Sequence, residues 1–496
     1  MTDYLIVGGG TAGSLLAARL SEDPSVSVTL LEWGPSDVGE PRARSIRRWA
    51  EMLEGQYDLD YRSVPQARGN SDIRQARMRI LGGCSTANTM ITWRPLASDL
   101  REWVSLGATG WEPEAVLPYY DKLQIPISPV APADQNAYVA DVVAAAAKAL
   151  DVPVQEQWND GRLDARAEGV GFFEVGYDPA TNVRGSTSIH YLHEALSRPN
   201  LTVHTGVRAL RVLLEDGRAT GVHTSSGTFR ASREVILCAG AIDSARLLQL
   251  SGIGPREVLE TAGVPVVADL PVGENLMDHA EGLILWESVK RPPAECASGW
   301  DAGGMVSVDG DLTRPDVLMH FPVEAWAVHA ETYGVDLPAN IVQIAPNVAR
   351  PASRGTVRIT SADPSDPPEI DYGYFTDPEG HDERILIAGI RAARKIAEQE
   401  PFRSWLVREV FPGPSVVSDE DLSEALRATH QTVYHVSGTC RMGAVLDGDL
   451  RVLGVEGLRV VDASVFPAIP AVNPVGTVMV VAERAADLIT RAPLHN

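Results

Sequence analysis

Cysteine is scarce in this chain of 496 residues. Its four cysteines, Cys84, Cys238, Cys296 and Cys440, are scattered, and none belongs to a CxxC pair. This spacing predicts neither a disulfide framework nor a cysteine metal site, so we expect no bound metal. It favours a reducing compartment, and we expect a cytoplasmic protein.

Long apolar runs and an excess of positive charge are also missing. No stretch reaches the roughly 18 apolar residues that predict a membrane-spanning helix, and a strand begins by Tyr4 without a preceding signal segment. The formal net charge is −23. A negatively charged surface repels nucleic acid and anionic membranes, so we expect neither as a partner. Solubility alone would also explain the acidity.

The strongest positive signal lies in the first 32 residues. An apolar run, a glycine turn, a helical apolar pattern and a second apolar run follow in order, and the second run ends at Glu32. Gly8 permits a tight turn, Gly10 lets backbone approach a pyrophosphate, and Gly13 lets the helix pack on its strand. This order predicts a βαβ unit that binds a dinucleotide.

The helix and the acid after it refine this prediction. Thr11 and Ala12 open the helix, whose free N–H groups suit phosphate. The carboxylate of Glu32 can accept a hydrogen bond from a ribose 2′-OH, but it would repel a 2′-phosphate, which disfavours NADP. No second strand-linked GxGxxG follows, so we do not expect a second, nicotinamide cofactor.

Elements typical of a nucleotide-binding sheet recur in the middle and at the end of the chain. Residues 234–240 and 458–462 are apolar strands that end in a glycine and in an acid, and a final helix is predicted near 475–490. Alternating patterns between them indicate a β-rich insertion. We therefore predict an α/β (α+β) fold with a discontinuous Rossmann-like domain (1–135, 190–280 and 425–496) and a β-sheet-based substrate domain (136–189 and 281–424).

Five further segments resemble the signatures of one enzyme family, the glucose–methanol–choline (GMC) oxidoreductases. The matching segments, which extend from residue 81 to residue 474, are Leu81–Asn88, Gly240–Gly254, Val272–His279, His435–Gly443 and Asn473–Pro474. The resemblance implies that the dinucleotide is FAD. It adds these residues to the FAD-binding set: Gly83, Asn88, Thr89, Val207, Ala239, Gly240, Asp462, Ala463, Asn473 and Pro474.

The same resemblance implies oxidation of a primary alcohol to an aldehyde, with O2 as acceptor and H2O2 as product. His435 is the expected base, because imidazole titrates near neutrality, and Asn473 is expected to hydrogen-bond the same alcohol oxygen. Three alternatives stay open: a dehydrogenase that uses a quinone or protein acceptor, a hydroxynitrile lyase of the same fold, and a flavin-binding protein without activity.

Within the family the chain is most similar to the choline-oxidising members, as Tyr374–His381 and Thr432–His435 indicate. By that resemblance Glu287 faces a substrate cation, His320 is a second active-site histidine, and Val433 lies near the face of the flavin that reacts with oxygen. Trp300 is a candidate aromatic wall, and an ordinary core indole is the alternative. The expected substrate is choline or another amine-bearing alcohol, and the expected assembly a homodimer.

Three positions depart from those members. Ala87 stands where they attach the flavin covalently to histidine, so FAD is expected to bind noncovalently. Leu59 replaces an aromatic residue of their cation-binding cage, which weakens the case for choline, because each ring contributes about 0.5–2 kcal/mol of cation–π attraction. The loop at 123–135 is short, which would open the pocket to a bulkier alcohol.

Overall fold

Helices are spread along the whole chain, which the computed structural model describes over residues 1–69 and 73–491. The α-helices are α1 (Thr11–Leu20), α2 (Pro41–Arg44), α3 (Ala97–Ser105), α4 (Pro113–Val116), α5 (Ala137–Leu150), α6 (His193–Ala195), α7 (Gly240–Leu250), α8 (Arg256–Thr261), α9 (Val328–Thr332), α10 (His381–Ala397), α11 (Asp419–Thr429) and α12 (Val475–Arg491). Short 3-10 turns lie at Ile46–Met52, Gly83–Thr86, Leu117–Lys122, Arg162–Asp164, Phe402–Trp405 and Ala463–Val465, and a π turn at Ser188–Leu192.

The strands are short except near the middle of the chain. They are β1 (Thr2–Val7), β2 (Val28–Leu31), β3 (Tyr61–Arg62), β4 (Arg74–Gln75), β5 (Ser128–Pro129), β6 (Gly169–Phe172), β7 (Glu174–Val175), β8 (Tyr177–Asp178), β9 (Val183–Arg184), β10 (Leu201–His204), β11 (Ala209–Glu215), β12 (Arg218–Thr224), β13 (Gly227–Leu237), β14 (Ile253–Gly254), β15 (Ala268–Asp269), β16 (Ala280–Glu281), β17 (Ile284–Ser288), β18 (Ala302–Val306), β19 (Val317–His320), β20 (Ile341–Val348), β21 (Thr356–Arg358), β22 (Glu369–Asp371), β23 (Leu406–Phe411), β24 (Gln431–Thr432) and β25 (Leu458–Val460).

The first large sheet follows the order β10-β2-β1-β13-β12-β11, and β25 pairs with β13. Its parallel part contains β10, β2, β1, β25 and the second half of β13. The first half of β13 instead pairs antiparallel with β12. Strands of parallel sheets are buried on both faces, which explains the nearly unbroken apolar runs in β1 and at the end of β13. Helix α1 packs against α12 beside this sheet.

The second large sheet is antiparallel, in the order β23-β17-β20-β19-β18-β6. Strand β16 pairs with both β20 and β24. Helix α10 packs on β20 and against α5, because its apolar residues recur at helical spacing and are buried: Ile385, Leu386, Ile390, Ala393 and Ile396. This sheet therefore has its own apolar core.

The carboxyl ends of the central parallel strands meet at one edge of the first sheet. Gly8 follows β1, Gly240 follows β13, and Asp462 follows β25. In α/β sheets of this kind ligands bind at that edge. The residue ranges given above for two domains stay a prediction. Strand β24, which falls within the range 425–496 assigned to the first domain, pairs with β16 in the second sheet, and β16 itself spans the predicted boundary at 280/281.

Candidate active site

A deep cavity extends from the glycine turn of the first sheet to the histidines beside the second. Most of the predicted site residues line it: Gly8, Gly10, Thr11, Ala12, Glu32 and Val207 towards the glycine turn, Gly83, Asn88, Thr89, Ala239, Gly240, Asp462 and Ala463 in the middle, and Leu59, Trp300, His320, Val433, His435, Asn473 and Pro474 towards the second sheet. Gly13 lies just behind the lining, and Glu287 lies away from it.

The glycine turn is held so tightly that side chains are excluded. Gly8 has a φ of +101°, and a Cβ there would lie 2.5 Å from the carbonyl oxygen of Cys238. A Cβ on Gly13 would lie 1.9 Å from the carbonyl oxygen of Gly8. Helix α1 begins after Gly10 with neither a side-chain cap nor an acidic residue in its first turn. Its first N–H groups are thus left to bind an anion.

Two buried carboxylates line the nucleotide part of the cavity, one at the glycine turn and one in the middle. Glu32 accepts the N–H of Gly9 with Oε2 (2.8 Å) and the N–H of Gly34 with Oε1 (2.6 Å), and burial raises the pKa of its carboxyl group. Asp462 accepts the N–H of Gly240 at 2.9 Å. Oδ2 of Asp462 also accepts the hydroxyl of Ser244, and its Oδ1 accepts the N–H of Ser464. Asp462 Oδ1 and both oxygens of Glu32 thus keep a second lone pair to which a ribose or ribityl hydroxyl can bind.

The hydrogen bonds of His435 define which of its nitrogens can act as a base. Nε2 of His279 lies 3.1 Å from the carbonyl oxygen of Ala349, which can only accept, so that nitrogen carries the proton. Nδ1 of His279 therefore accepts, and Nδ1 of His435, 2.9 Å away, donates. The lone pair of His435 is left on Nε2. Burial and the neighbouring His279, His320 and Arg77 lower the pKa of His435 well below its usual value.

Asn473 and His320 complete the polar group around that lone pair. Oδ1 of Asn473 accepts the indole N–H of Trp93 at 3.0 Å, which orients its Nδ2 towards His435 Nε2, 3.3 Å away, and His320 Nε2, 3.4 Å away. Asn347 Nδ2 contacts the carbonyls of Leu318 and Ala345 and also His320 Nδ1. His320 Nδ1 therefore accepts, and its Nε2–H is a donor towards the same space.

Asp278 holds the main chain that carries His435. Its Oδ1 accepts the N–H of His435 at 2.9 Å, and its Oδ2 accepts the hydroxyls of Tyr374 and Thr432. Tyr434 lies in the left-handed region at φ 64°, and its N–H donates to the Thr432 hydroxyl at 2.8 Å. Burial raises the pKa of Asp278 to about 6. Consecutive residues, Asp278 and His279, thus fix the backbone and the ring of His435.

The structure does not place Glu287, the glutamate expected to face a substrate cation, in the lining of the cavity. Glu287 is paired with Arg408 at 2.8 Å, and its side chain is 32% exposed. Glu281 lines the cavity instead: it is buried, Oε1 accepts from Gln431, and Oε2 has no hydrogen-bond partner and lies 3.8 Å from His320 Nδ1. The signal was present in the sequence, because Glu281 follows the family-like segment Val272–His279 by two residues.

Sequence reasoning also missed two tryptophans and a tyrosine. Trp49, Trp326 and Tyr434 line the same end of the cavity as Trp300. Trp300 packs edge-on against His320, with ring centroids 5.8 Å apart, and it also contacts an apolar cluster that includes Trp93. Aromatic rings thus line this end of the cavity although Leu59 takes one position in the lining.

Comparison with known proteins agrees with this geometry. Two family descriptions, both of GMC oxidoreductase, match residues 2–281 and 351–482. The chain belongs to the GMC oxidoreductases. The family resemblance and the predicted fold class are therefore confirmed, and this GMC oxidoreductase is an enzyme that acts on alcohols. Over the described ranges no helix is long and apolar enough to cross a membrane.

Its relatives include both oxidases and dehydrogenases. It is 42% identical to the choline oxidase of Arthrobacter globiformis, over 99% of this chain and 94% of that protein. It is 32% identical to an alcohol dehydrogenase [acceptor] of Pseudomonas putida, over 99% and 96%. Among solved structures, pyridoxine 4-oxidase from Mesorbium loti superposes with a TM-score of 0.91 at 29% identity, over 99% and 100%.

GMC oxidoreductases are flavoproteins that use FAD, and the lining of this cavity fits that cofactor. The uncapped start of α1 suits a pyrophosphate. Gly83 allows its loop to approach the glycine turn, since a Cβ there would lie 2.7 Å from Gly10 Cα. Glu32 suits the adenosine ribose, and Asn88, Thr89 and Asp462 line the way to His435.

Proposed function

We propose that this GMC oxidoreductase oxidises a primary alcohol that carries a positively charged nitrogen, giving the aldehyde. One observation supports this most strongly: a base nitrogen and two donors converge in a cavity that also contains a buried carboxylate without a hydrogen-bond partner on Oε2, that of Glu281. A buried carboxylate with one oxygen left without a hydrogen bond is costly and favours a cationic ligand.

Each polar side chain has a separate role in the oxidation of the alcohol. His435 Nε2 takes the hydroxyl proton, for which its lowered pKa keeps it unprotonated. Asn473 Nδ2–H and His320 Nε2–H donate to the oxygen and stabilise its developing negative charge. Bound FAD supplies the acceptor for the hydride that the carbinol carbon loses. His279 retains the tautomer of His435 throughout, because its own Nε2–H is held by Ala349.

Two finer features belong to the same proposal. O2 is the electron acceptor, as in the relatives named oxidases and as the resemblance at Val433 implies; the relative named alcohol dehydrogenase [acceptor] supports a different acceptor as the second candidate. FAD is held noncovalently, since the methyl group of Ala87 offers no atom that could bond to it. Acid precipitation should therefore release the flavin into the supernatant.

The test is anaerobic bleaching of the purified flavoprotein by a panel of alcohols that includes choline, followed by air. We expect an amine-bearing alcohol to bleach the flavin and air to restore it quickly. His435→Ala should keep FAD and be reduced about 10²- to 10⁴-fold more slowly; His223→Ala, an exposed histidine on β12, is the control.

Slow recovery in air, with fast recovery by a quinone, would replace the oxidase by a dehydrogenase. The lack of bleaching by any alcohol would contradict the proposed oxidation and favour the lyase. Reduction of His435→Ala at the parent rate would remove His435 from the mechanism.

A further inference from the structure

Three tryptophans, Trp49, Trp300 and Trp326, line the alcohol end of the cavity, and we call them the tryptophan wall. Trp300 lies next to His320. Trp49 and Trp326 come from distant segments of the chain, yet their ring centroids are 6.2 Å apart, with 35° between the ring planes. All three side chains are partly exposed, so indole surface remains uncovered.

The wall is held in place by hydrogen bonds. The indole N–H of Trp49 donates to the carbonyl of Ser298 at 2.8 Å, two residues before Trp300. That turn is fixed in its own right, because buried Asp301 accepts the N–H and the hydroxyl of Ser298. The backbone N–H of Trp326 donates to Gln343 Oε1 at 2.7 Å. A ligand that contacts these rings therefore meets surfaces that are already ordered, which lowers the entropy cost of binding.

The spacing determines how a ligand can use the wall. Stacked or edge-on aromatic rings keep centroids about 4.5–7 Å apart, so 6.2 Å between Trp49 and Trp326 leaves no room for a third ring between them. A ligand ring must instead pack on their uncovered faces. Choline has no such ring, so only its methyl groups could contact these faces.

We propose that the tryptophan wall is a subsite for an aromatic ring attached to the charged nitrogen of the substrate. The substrate class is thus an aryl- or arylalkyl-substituted amino alcohol, with its cation next to Glu281 and its hydroxyl at His435. The inference rests on the proposed function, and it names the substrate class more narrowly. Leu59, which also lines the cavity, is smaller than an aromatic residue.

Three alcohols with one charge and one carbinol test the proposal: choline, and the two compounds in which benzyl or cyclohexylmethyl replaces one methyl group. In the parent enzyme we expect kcat/KM for the benzyl compound to be about tenfold higher than for choline. We expect it to be about threefold higher than for the cyclohexylmethyl compound, because aromatic ring contacts add to apolar burial. Equal values for benzyl and cyclohexylmethyl, or for benzyl and choline, would overturn it.

Variants assign the preference to the wall. Trp326→Leu should lower the ratio of kcat/KM for the benzyl compound to that for choline about tenfold, whereas Trp326→Phe should keep most of the preference. Tyr333→Leu, an exposed ring of the same segment that does not line the cavity, should leave that ratio unchanged. Preservation of the benzyl preference in Trp326→Leu would contradict the proposal.

A binding measurement separates this inference from the proposed oxidation. Benzyltrimethylammonium and tetramethylammonium have no hydroxyl, so neither can be oxidised. Calorimetry on the holoenzyme should show about tenfold tighter binding of the benzyl compound, lost in Trp326→Leu. That result, combined with no bleaching by any alcohol, would keep the subsite and reject the oxidation; bleaching together with equal affinities would do the reverse.

Discussion

The two ends of the cavity are assembled in different ways. The nucleotide end is made largely from one stretch, β1, the glycine turn, α1 and β2, which spans residues 2–31. The alcohol end combines Trp49, Glu281, His320, His435 and Asn473, which lie on separate elements of the chain. The first depends on backbone geometry that neighbouring residues set, and the second depends on which distant segments the fold brings together.

The largest effect is expected where backbone geometry is least tolerant. Gly13→Ala places a methyl group 1.9 Å from the Gly8 carbonyl, so the turn must shift. We expect the purified variant to have lost its flavin, measured as the ratio of flavin to protein absorbance. Gly55→Ala is the control, since its Cβ would lie an ordinary 3.4 Å from its nearest neighbour. Full flavin content in Gly13→Ala would show that the turn can shift to accommodate a methyl group and still bind the cofactor.

A smaller, selective effect is expected at the alcohol end. Glu281→Gln should weaken binding of choline roughly 30-fold or more, because a buried charge partner is lost, and should leave 3,3-dimethylbutan-1-ol, its uncharged isostere, nearly unaffected. Glu287→Gln should change neither, since its carboxylate pairs with Arg408 at the surface. The dependence of the flavin reduction rate on alcohol concentration gives the dissociation constant of each alcohol. Equal losses for the charged and neutral alcohols would leave Glu281 with a structural role only.

The smallest effect is a change in how stability depends on pH. Burial lowers the pKa of His279 to about 3, so its contribution to stability is present above pH 6.5 and falls as the pH drops towards 3. Burial raises the pKa of Asp278 to about 6, so its contribution has the opposite sign: it is present below pH 3.8 and is lost as the pH rises to 6. The two therefore offset each other between pH 6 and 4.

Replacing either residue should reveal the contribution that the other makes to the pH dependence of stability. The melting temperature of Asp278→Asn should fall more steeply than the parent's between pH 6 and 4, and that of His279→Gln less steeply. Asp363→Asn, at an exposed aspartate, serves as the reference. If the melting temperatures of the parent and the three variants changed in parallel with pH, neither group would titrate in this range.

The sequence predicted the nucleotide end better than the alcohol end, for a physical reason. Gly8, Gly10 and Gly13 are read from a local pattern, because each is required by its immediate neighbours. His435 and Asn473 were found through the resemblance and do lie together. Glu281 was not singled out: strands as short as β16 have no periodicity from which to infer a facing side, and its place two residues after the family-like segment was the one signal available. Trp49 and Trp326 carried no local signal, since a tryptophan pattern is equally typical of a core.

The pairing of β16 with β24 has a consequence for substrate length. Glu281 lies opposite Gln431 in that ladder, and His435, four residues further along, is followed by the main-chain bridge between Ser437 and Met277. The spacing between the Glu281 carboxylate and His435 is thus set by main-chain hydrogen bonds on either side, which side-chain replacement leaves unchanged. The tryptophans of the proposed subsite lie on other segments. If both proposals hold, mutation can alter the preferred shape of the alcohol during evolution while the preferred spacing between nitrogen and hydroxyl is retained.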